Sequence, residues 1–487
     1  MTEAGLPRTT NTKLVCTLGP ASDSPGRIRA LAEAGCDVFR VNLSHGEPET
    51  QSAAIASVHE VSEALGADLA VMADLPGPKI RLGDLATEPL RLEPGASFVL
   101  RPGGGAGDAA GAATTHPGLA GDLEPEDRLL LSDGAVELAV VETRGDEVVT
   151  RVVRGGRIRS AAGVNVPAER LGLPALTDRD RAGLEVALAA GVDLVAQSFV
   201  RRAPDVLALR EAMGDRTAPI VAKIETRPAV DDFASILEAV DAVMVARGDL
   251  GVELPLEEIP VLQKQLVREA RRAGTPVIVA TQMLESMTHA PRPTRAEASD
   301  VANAVLDGTD AIMLSAETAI GEFPIEAASA AVRIAEAAEA WAIETSPARR
   351  ERGVATDEAV SVARAAADIA DGNLDVVAIA CFTATGRTAA LLSNERPAVP
   401  VYAFIPDAAV RRSLALRWGL RTLPAHRPTD TDEMITLMDE GLRAGGFAQH
   451  GASVVMAASS PAGRTHTNLL KVHRVGEPAD RYRGMHG

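Results

Sequence analysis

Eight short apolar runs, each breaking into polar or charged residues at its C-terminal end, constrain this chain more than any other feature. They lie near 13–18 (KLVCTL), 38–43 (VFRVNL), 69–74 (LAVMAD), 194–199 (LVAQSF), 220–225 (IVAKIE), 242–247 (AVMVAR), 277–282 (VIVATQ) and 311–316 (AIMLSA). Amphipathic, Ala-rich stretches separate them, and most neighbours are roughly 25–35 residues apart, the length of one strand–helix unit. The pattern predicts an α/β chain folded as a closed (β/α)8 TIM barrel. Such a barrel carries its active site where the strands end.

The one long gap falls between the third and fourth runs. Residues 83–159 there show short Val/Leu/Arg segments, turn signals such as Glu93-Pro94-Gly95 and little helical period. They predict a small β-barrel domain inserted as a lid in a catalytic barrel made of 1–82 and 160–343. The Gly-rich stretch 101–113 lacks the preceding strand and following helix of a phosphate loop and reads as low-complexity loop. Beyond Trp341 the segment ETSPARRERGVATD (344–357) predicts a linker. Residues 344–487 then alternate helix and strand (VVAIACF, VPVYAF, SVVMAAS), which predicts a doubly wound C-terminal α/β regulatory domain.

At 487 residues the chain needs more than one core, and no apolar run is long enough to span a bilayer. Three widely spaced cysteines argue against a disulfide framework, so a cytoplasmic location is expected. A net charge of −18 disfavours nucleic acid, and any anionic ligand must be drawn by a local cluster of cations.

Chemistry-bearing residues gather at the run ends. Lys223 and Glu225 close the fifth, and Gly248 and Asp249 follow the sixth. Glu225 and Asp249 can share one Mg2+ while leaving positions for substrate oxygens. Arg40, Asn42 and Ser44 alternate along the second run and share a face, with His45 next. Asp74, Lys79 and Arg81 surround the stiff Pro76-Gly77-Pro78 turn, which reads as a hinge. Thr281 and Gln282 end the seventh run; Ser315, Glu317 and Thr318 end the eighth. Arg295, Glu297, Asp300 and Asn303 read as a structural network behind the site. In the last domain Thr383, Thr385, Gly386, Arg387 and Thr388 suit a phosphate dianion as well as they suit a plain turn, and Ser459 to Thr467 could close over them.

The segments CTLGPAS, FRVNLSHG, DLPGPKIRLG, GVNVP, IVAKIE, VARGDLGVELP, ATQMLESM, TRAEASDVANAVLDG and MLSAETAIGEFP occur in one order across about 13–330. Together they make the chain resemble the pyruvate kinases. The resemblance implies phosphoryl transfer from phosphoenolpyruvate to ADP, giving pyruvate and ATP, in a homotetramer. It implies that Arg40 grips the phosphoryl group and that Glu225 and Asp249 hold Mg2+ or Mn2+. Lys223 would stabilise the phosphoryl and enolate charge, while the amides of Gly248 and Asp249, with Thr281, would bind the carboxylate. Asn42, Leu43, Ser44, His45, Arg81 and Arg179 would meet the nucleotide, and Thr383–Thr388 would bind a phosphorylated effector. No histidine is placed to protonate the enolate, so a relay through Thr281, Ser315 and Glu317 is expected.

The chain departs from the commonest pattern at Lys79, where many relatives carry Glu. Those relatives need K+, held by residues matching Asn42, Ser44, Asp74 and the Leu75 carbonyl. A tethered ammonium supplies the same charge, so K+ should not be required. The rival readings are a barrel lyase or aldolase acting on a pyruvate enolate, and a non-catalytic sugar-phosphate sensor.

Overall fold

The computed structural model describes residues 10–132, 134–345, 357–372, 375–459 and 467–479. Its eight central strands are β1 (Lys13–Thr17), β2 (Val38–Asn42), β3 (Ala70–Leu75), β4 (Leu194–Gln197), β5 (Ile220–Ile224), β6 (Ala242–Ala246), β7 (Val277–Ala280) and β8 (Ala311–Leu314). Each pairs in parallel with the next in sequence, and β8 returns to β1, which closes the barrel. All eight predicted strands are therefore present.

Side-chain parity explains both the packing and the site. Val15, Val38, Met72, Ala196, Val221, Met244, Ile278 and Met313 fill the barrel interior. Alternate residues such as Phe39, Val71, Ile224 and Leu314 pack outward against the helices. Continuing the inward parity toward the strand ends gives Thr17, Arg40, Asp74, Ser198 and Lys223. The same period that builds the core thus delivers polar groups to the barrel mouth.

The chain leaves β3 through Pro76-Gly77-Pro78. Gly77 has φ +68°, and a Cβ there would sit 2.8 Å from Phe199 Cδ2, so only glycine fits. Its N–H donates to Asp180 Oδ1 at 3.0 Å. Asp180 also closes the capping box with Thr177 that starts the helix Asp178–Ala189. One buried carboxylate fixes both the hinge and the first turn beside it.

The insert forms a sheet in which Ile80–Arg81, Gly163–Asn165, Arg128–Leu131, Val136–Arg144, Glu147–Arg154, Ser97–Arg101 and Gly111–Ala113 lie side by side. A bridge between Leu82 and Thr114 brings the two edges together, and Leu90–Leu92 pairs with Gly156–Ile158 as a separate ribbon. Phe98, Leu100, Leu129, Leu138 and Val148 give the insert its own core. The sheet begins at Ile80 and ends at Asn165, slightly outside the expected 83–159.

The last unit is a five-stranded sheet of β9 (Val376–Phe382), β10 (Val401–Ile405), β11 (Leu420–Pro424), β12 (Ser453–Ala458) and β13 (Leu469–Arg474). Their order is β11-β10-β9-β12-β13, with β13 antiparallel. The two edge strands were not among the expected ones. Most of the expected linker, residues 346–356, lies outside the described residues.

This unit docks under the barrel, opposite the mouth. Arg411 Nε lies 3.0 and 2.9 Å from the two oxygens of Asp68, Arg412 Nε 2.7 Å from Asp193, and Arg396 Nη2 2.8 Å from Asp310. Lys13 Nζ donates to the Leu420 carbonyl at 2.8 Å. Between these polar contacts Leu416 enters the interior cluster of the barrel itself and is 2 % exposed.

Candidate active site

At the barrel mouth a chain of opposite charges links three strand ends, those of β2, β3 and β5. Strand register puts Thr17 beside Arg40 and Asn42 beside Asp74. Arg40 Nε donates to Asp74 Oδ2 at 2.6 Å, and its Nη1 reaches Thr17 Oγ1 at 3.2 Å. Lys223 Nζ lies 3.4 Å from Asp74 Oδ1 and 2.7 Å from Glu225 Oε1, and it donates to Ser198 Oγ at 2.7 Å. Glu225 Oε2 accepts the Phe199 N–H at 2.9 Å.

Burial alone would pull the Lys223 ammonium down, but the Asp74 and Glu225 carboxylates hold it above its ordinary pKa. Burial likewise opposes the charge on Asp74, and Arg40 and Lys223 overcome it and keep that carboxyl below the usual range. Glu225 goes the other way. Burial raises it, Lys223 opposes the rise, and the like charge of Asp249 adds to it.

That imbalance is where a divalent cation fits. Glu225 and Asp249 repel each other in a buried setting, and a cation between them relieves both. Both Glu225 oxygens already accept one bond, yet each carboxylate oxygen has a second lone pair available. Among the described residues no group of three or more His, Cys, Asp or Glu is placed to enclose a metal. A two-carboxylate set leaves the other positions to substrate oxygens and water, as Mg2+ prefers.

Gly248 and Asp249 lie in the first turn of the helix Arg247–Glu253, one residue beyond β6. Thr281 Oγ1 accepts the Gly248 N–H at 2.7 Å and donates to the Ala280 carbonyl at 2.6 Å. Thr281 and Gln282 have φ of 70° and 55°, and Phe199 has 55°. These are costly conformations for non-glycine residues, and for a β-branched Thr especially. Arg247 holds the first of them, donating to the Thr281 carbonyl at 2.7 Å while its other nitrogen pairs with Asp300 at 2.7 Å. Asp300 thus belongs to the support behind the site. Glu297 does too, capping its helix at Thr294 and bonding Ser286.

The expected relay through Thr281, Ser315 and Glu317 is not assembled. Glu317 is fully buried, and its oxygens accept the backbone N–H groups of Ser315 at 2.7 Å and Leu284 at 3.0 Å. Folding turns this acid inward, where it ties the end of β8 to the loop after β7. It acts as a positioning group.

Around the rim, Asn42 Oδ1 accepts the Ser44 N–H at 3.0 Å and Arg179 Nη2 donates to the Ser44 carbonyl at 3.1 Å. Leu43 is buried, and Arg81 Nη1 donates to the Ala161 carbonyl at 3.0 Å. Burial and then the charges of Arg81, Arg40, Arg179 and Lys79 push His45 below its ordinary pKa. Four cations therefore act on one imidazole. Lys79 itself lines a cavity with Arg81 on the insert side of the hinge. Thr17, Ser198 and Phe199 were not anticipated; a polar residue near the end of an apolar run was a signal for the first two, and Phe199, which contributes its backbone N–H, gave none.

In the last unit Thr383 Oγ1 accepts the Gly386 N–H at 3.0 Å, Arg387 pairs with Asp357, and the hydroxyls of Thr388 and Thr467 lie 2.7 Å apart. Thr385 lies in the same loop. Residues 460–466, most of the segment expected to close over it, lie outside the described residues.

Comparison with known proteins identifies the family. Residues 9–328 match the family description "Pyruvate kinase, barrel domain" and residues 360–473 match "Pyruvate kinase, alpha/beta domain". A pyruvate kinase of Mycobacterium intracellulare is 44% identical over 472 residues, covering 96% of this chain and 98% of that protein. One of Geobacillus stearothermophilus is 42% identical over 477 residues, covering 96% of this chain and 80% of that protein. The crystal structure of a pyruvate kinase from Cryptosporidium parvum superposes with a TM-score of 0.88 at 31% identity and covers 96% of both chains. With a match to both domains and near-complete overlap with such relatives, the chain belongs to the pyruvate kinase family of phosphotransferases.

Proposed function

We propose that this chain transfers the phosphoryl group of phosphoenolpyruvate to ADP. The observation that carries the reading is the Arg40–Asp74–Lys223–Glu225 chain on the inward face of the barrel mouth, beside the Gly248 and Asp249 amides. The bond between the enol oxygen and phosphorus breaks, a bond from an ADP β-phosphate oxygen to phosphorus forms, and the enolate left behind takes a proton at carbon. Such a reaction asks the protein mainly for positioning and charge stabilisation. Arg40 and Lys223 meet the migrating group, each fixed by Asp74. The first turn of the Arg247–Glu253 helix is assigned to the substrate carboxylate together with Thr281, whose Oγ1 holds the Gly248 N–H until a carboxylate replaces it. Glu225 and Asp249 would hold Mg2+ or Mn2+, which supplies charge neutralisation on the phosphoryl and enolate oxygens. Arg81, Arg179 and the Asn42–His45 turn orient the nucleotide, with the insert closing over it. The Thr383–Thr388 loop is assigned to a phosphorylated effector. Among the described residues no helix is long and apolar enough to cross a membrane, and a cytoplasmic homotetramer is the setting we assign.

A coupled assay of pyruvate formation from phosphoenolpyruvate, with and without ADP, tests the reaction. ADP-dependent pyruvate supports it. ADP-independent pyruvate would mean a lyase, and no pyruvate a sensor. Chelating divalent cations should abolish turnover, and adding Mg2+ back should restore it.

We further propose that K+ is not required. Asp74 already faces the Arg40 guanidinium and the Lys223 ammonium, which lessens the need for a further monovalent cation beside it. Lys79 adds a permanent positive charge near His45. Wild type should turn over equally in tetramethylammonium, Na+ and K+ buffers, while Lys79→Glu should become K+-dependent. A K+ requirement in the wild type would end this part of the reading.

A further inference from the structure

We infer that the insert carries a seat for a di- or triphosphate chain, formed beside the hinge by Lys79, Arg81, Arg157, Arg159 and Ser132. These residues line a cavity of about 460 Å3. Its walls concentrate four cations in a chain whose net charge is −18. The inference builds on the reaction proposed above in so far as Arg81 is read as a nucleotide contact.

The arrangement is not explained by internal pairing. Arg157 and Arg159 flank the buried Ile158, so both project from one face of the ribbon. In that ribbon Arg157 stands directly opposite Arg91, a like-charge pairing that disfavours the strand contact. Arg91 is neutralised locally, with its Nε 2.7 Å from Glu93. Among the described residues, Lys79, Arg157 and Arg159 lie in none of the ion pairs formed within 4.0 Å. Glu88 feels the Arg159 charge, but an oxygen of its own accepts the Ser160 N–H at 2.9 Å. Arg81 is braced by the Ala161 carbonyl and keeps its charge directed at the same space.

The chemistry selects the ligand. Guanidinium forks bind phosphate oxygens in pairs, and an ammonium adds a point charge. Ser132 can add a hydroxyl donor. Pro89, Ala161 and Ala162 make part of the lining apolar, but it has no aromatic face on which a base could stack. The four cations therefore suit the cavity to a phosphate chain. The occupant is either the phosphate tail of the nucleotide substrate or a free polyphosphate.

The test is the double variant Arg157→Gln, Arg159→Gln, with Arg157→Lys, Arg159→Lys as the charge-conserving control. Both arginines are exposed, so the variants should fold, and unchanged melting checks it. By calorimetry, sodium tripolyphosphate should bind the Gln variant at least ~10-fold more weakly than wild type, as expected for two lost charge-assisted contacts, and the Lys variant in between. A rise of roughly tenfold or more in KM for ADP, with KM for phosphoenolpyruvate within about twofold, would assign the seat to the nucleotide tail. An unchanged KM for ADP with tripolyphosphate binding lost would assign it to a free polyphosphate. Equal tripolyphosphate affinity in wild type and Gln variant, with unchanged ADP dependence, would overturn the inference. Wild type that binds tripolyphosphate through these arginines but makes no pyruvate would sink the proposed reaction and leave the seat standing.

Discussion

Replacing Lys223 by Met is expected to lower kcat by at least ~10²-fold, about 3 kcal/mol of transition-state stabilisation, with a smaller effect on KM for ADP. The ammonium is buried yet held charged between Asp74 and Glu225, and Ser198 fixes its third direction. A cation so constrained needs little reorganisation when charge develops on the migrating phosphoryl group and the departing enolate. Methionine keeps the length and apolar stem and removes only the charge and its donors. It also leaves Glu225 buried beside Asp249 without its counter-ion, a change that can cost the fold a few kcal/mol. Melting and kcat must therefore be measured on the same sample. A folded variant with near-normal kcat would remove Lys223 from its role. A fall in kcat with phosphoenolpyruvate binding largely retained would place its contribution in the transition state.

The features that could be read in the sequence were those governed by a short period. Inward parity carries from Val221 to Lys223 and from Met72 to Asp74, so apolar runs ending in charge revealed both the barrel and its cationic mouth. What escaped was set by partners distant in the chain. Ser198 and Thr17 look like ordinary polar strand ends until Lys223 and Arg40 arrive against them. Glu317 reads as a strand-end acid available to a proton relay, whereas the fold aims it at two backbone amides and withdraws it from that relay. Strands β11 (LRTLP) and β13 (LLKVHR) are edges in which polar residues interrupt short apolar stretches, and that pattern was too weak to separate from loop. The cationic cavity was hidden for a similar reason, since Lys79 and Arg157 are far apart in sequence and meet only when the insert folds.

The second large effect is expected far from the chemistry. Leu416→Ala should destabilise the protein by about 2–5 kcal/mol, the range for removing a buried Leu side chain and leaving a cavity. In sequence Leu416 sits in an unremarkable SLALRW stretch of the C-terminal unit, but in the fold it packs with the barrel's own inward residues, and Ala415 is packed against the same cluster. The barrel floor is thus completed by a residue from another unit. Arg411, Arg412 and Arg396 around it pair with Asp68, Asp193 and Asp310, which fixes the orientation of the unit against the barrel. Those ion pairs are mostly buried, so Arg411→Ala, which strands the Asp68 carboxylate, should lower the urea midpoint as well. Leu416→Met, which nearly conserves volume, should cost under about 1.5 kcal/mol. Equal midpoints for wild type and Leu416→Ala would mean that the floor closes without this side chain. The same segment carries Leu414, which packs on Gly386 so closely that a Cβ there would lie 3.0 Å from Leu414 Cδ1. The loop with the hydroxyls and the barrel floor are therefore joined through residues 414–416, and loosening the leucine should loosen both at once.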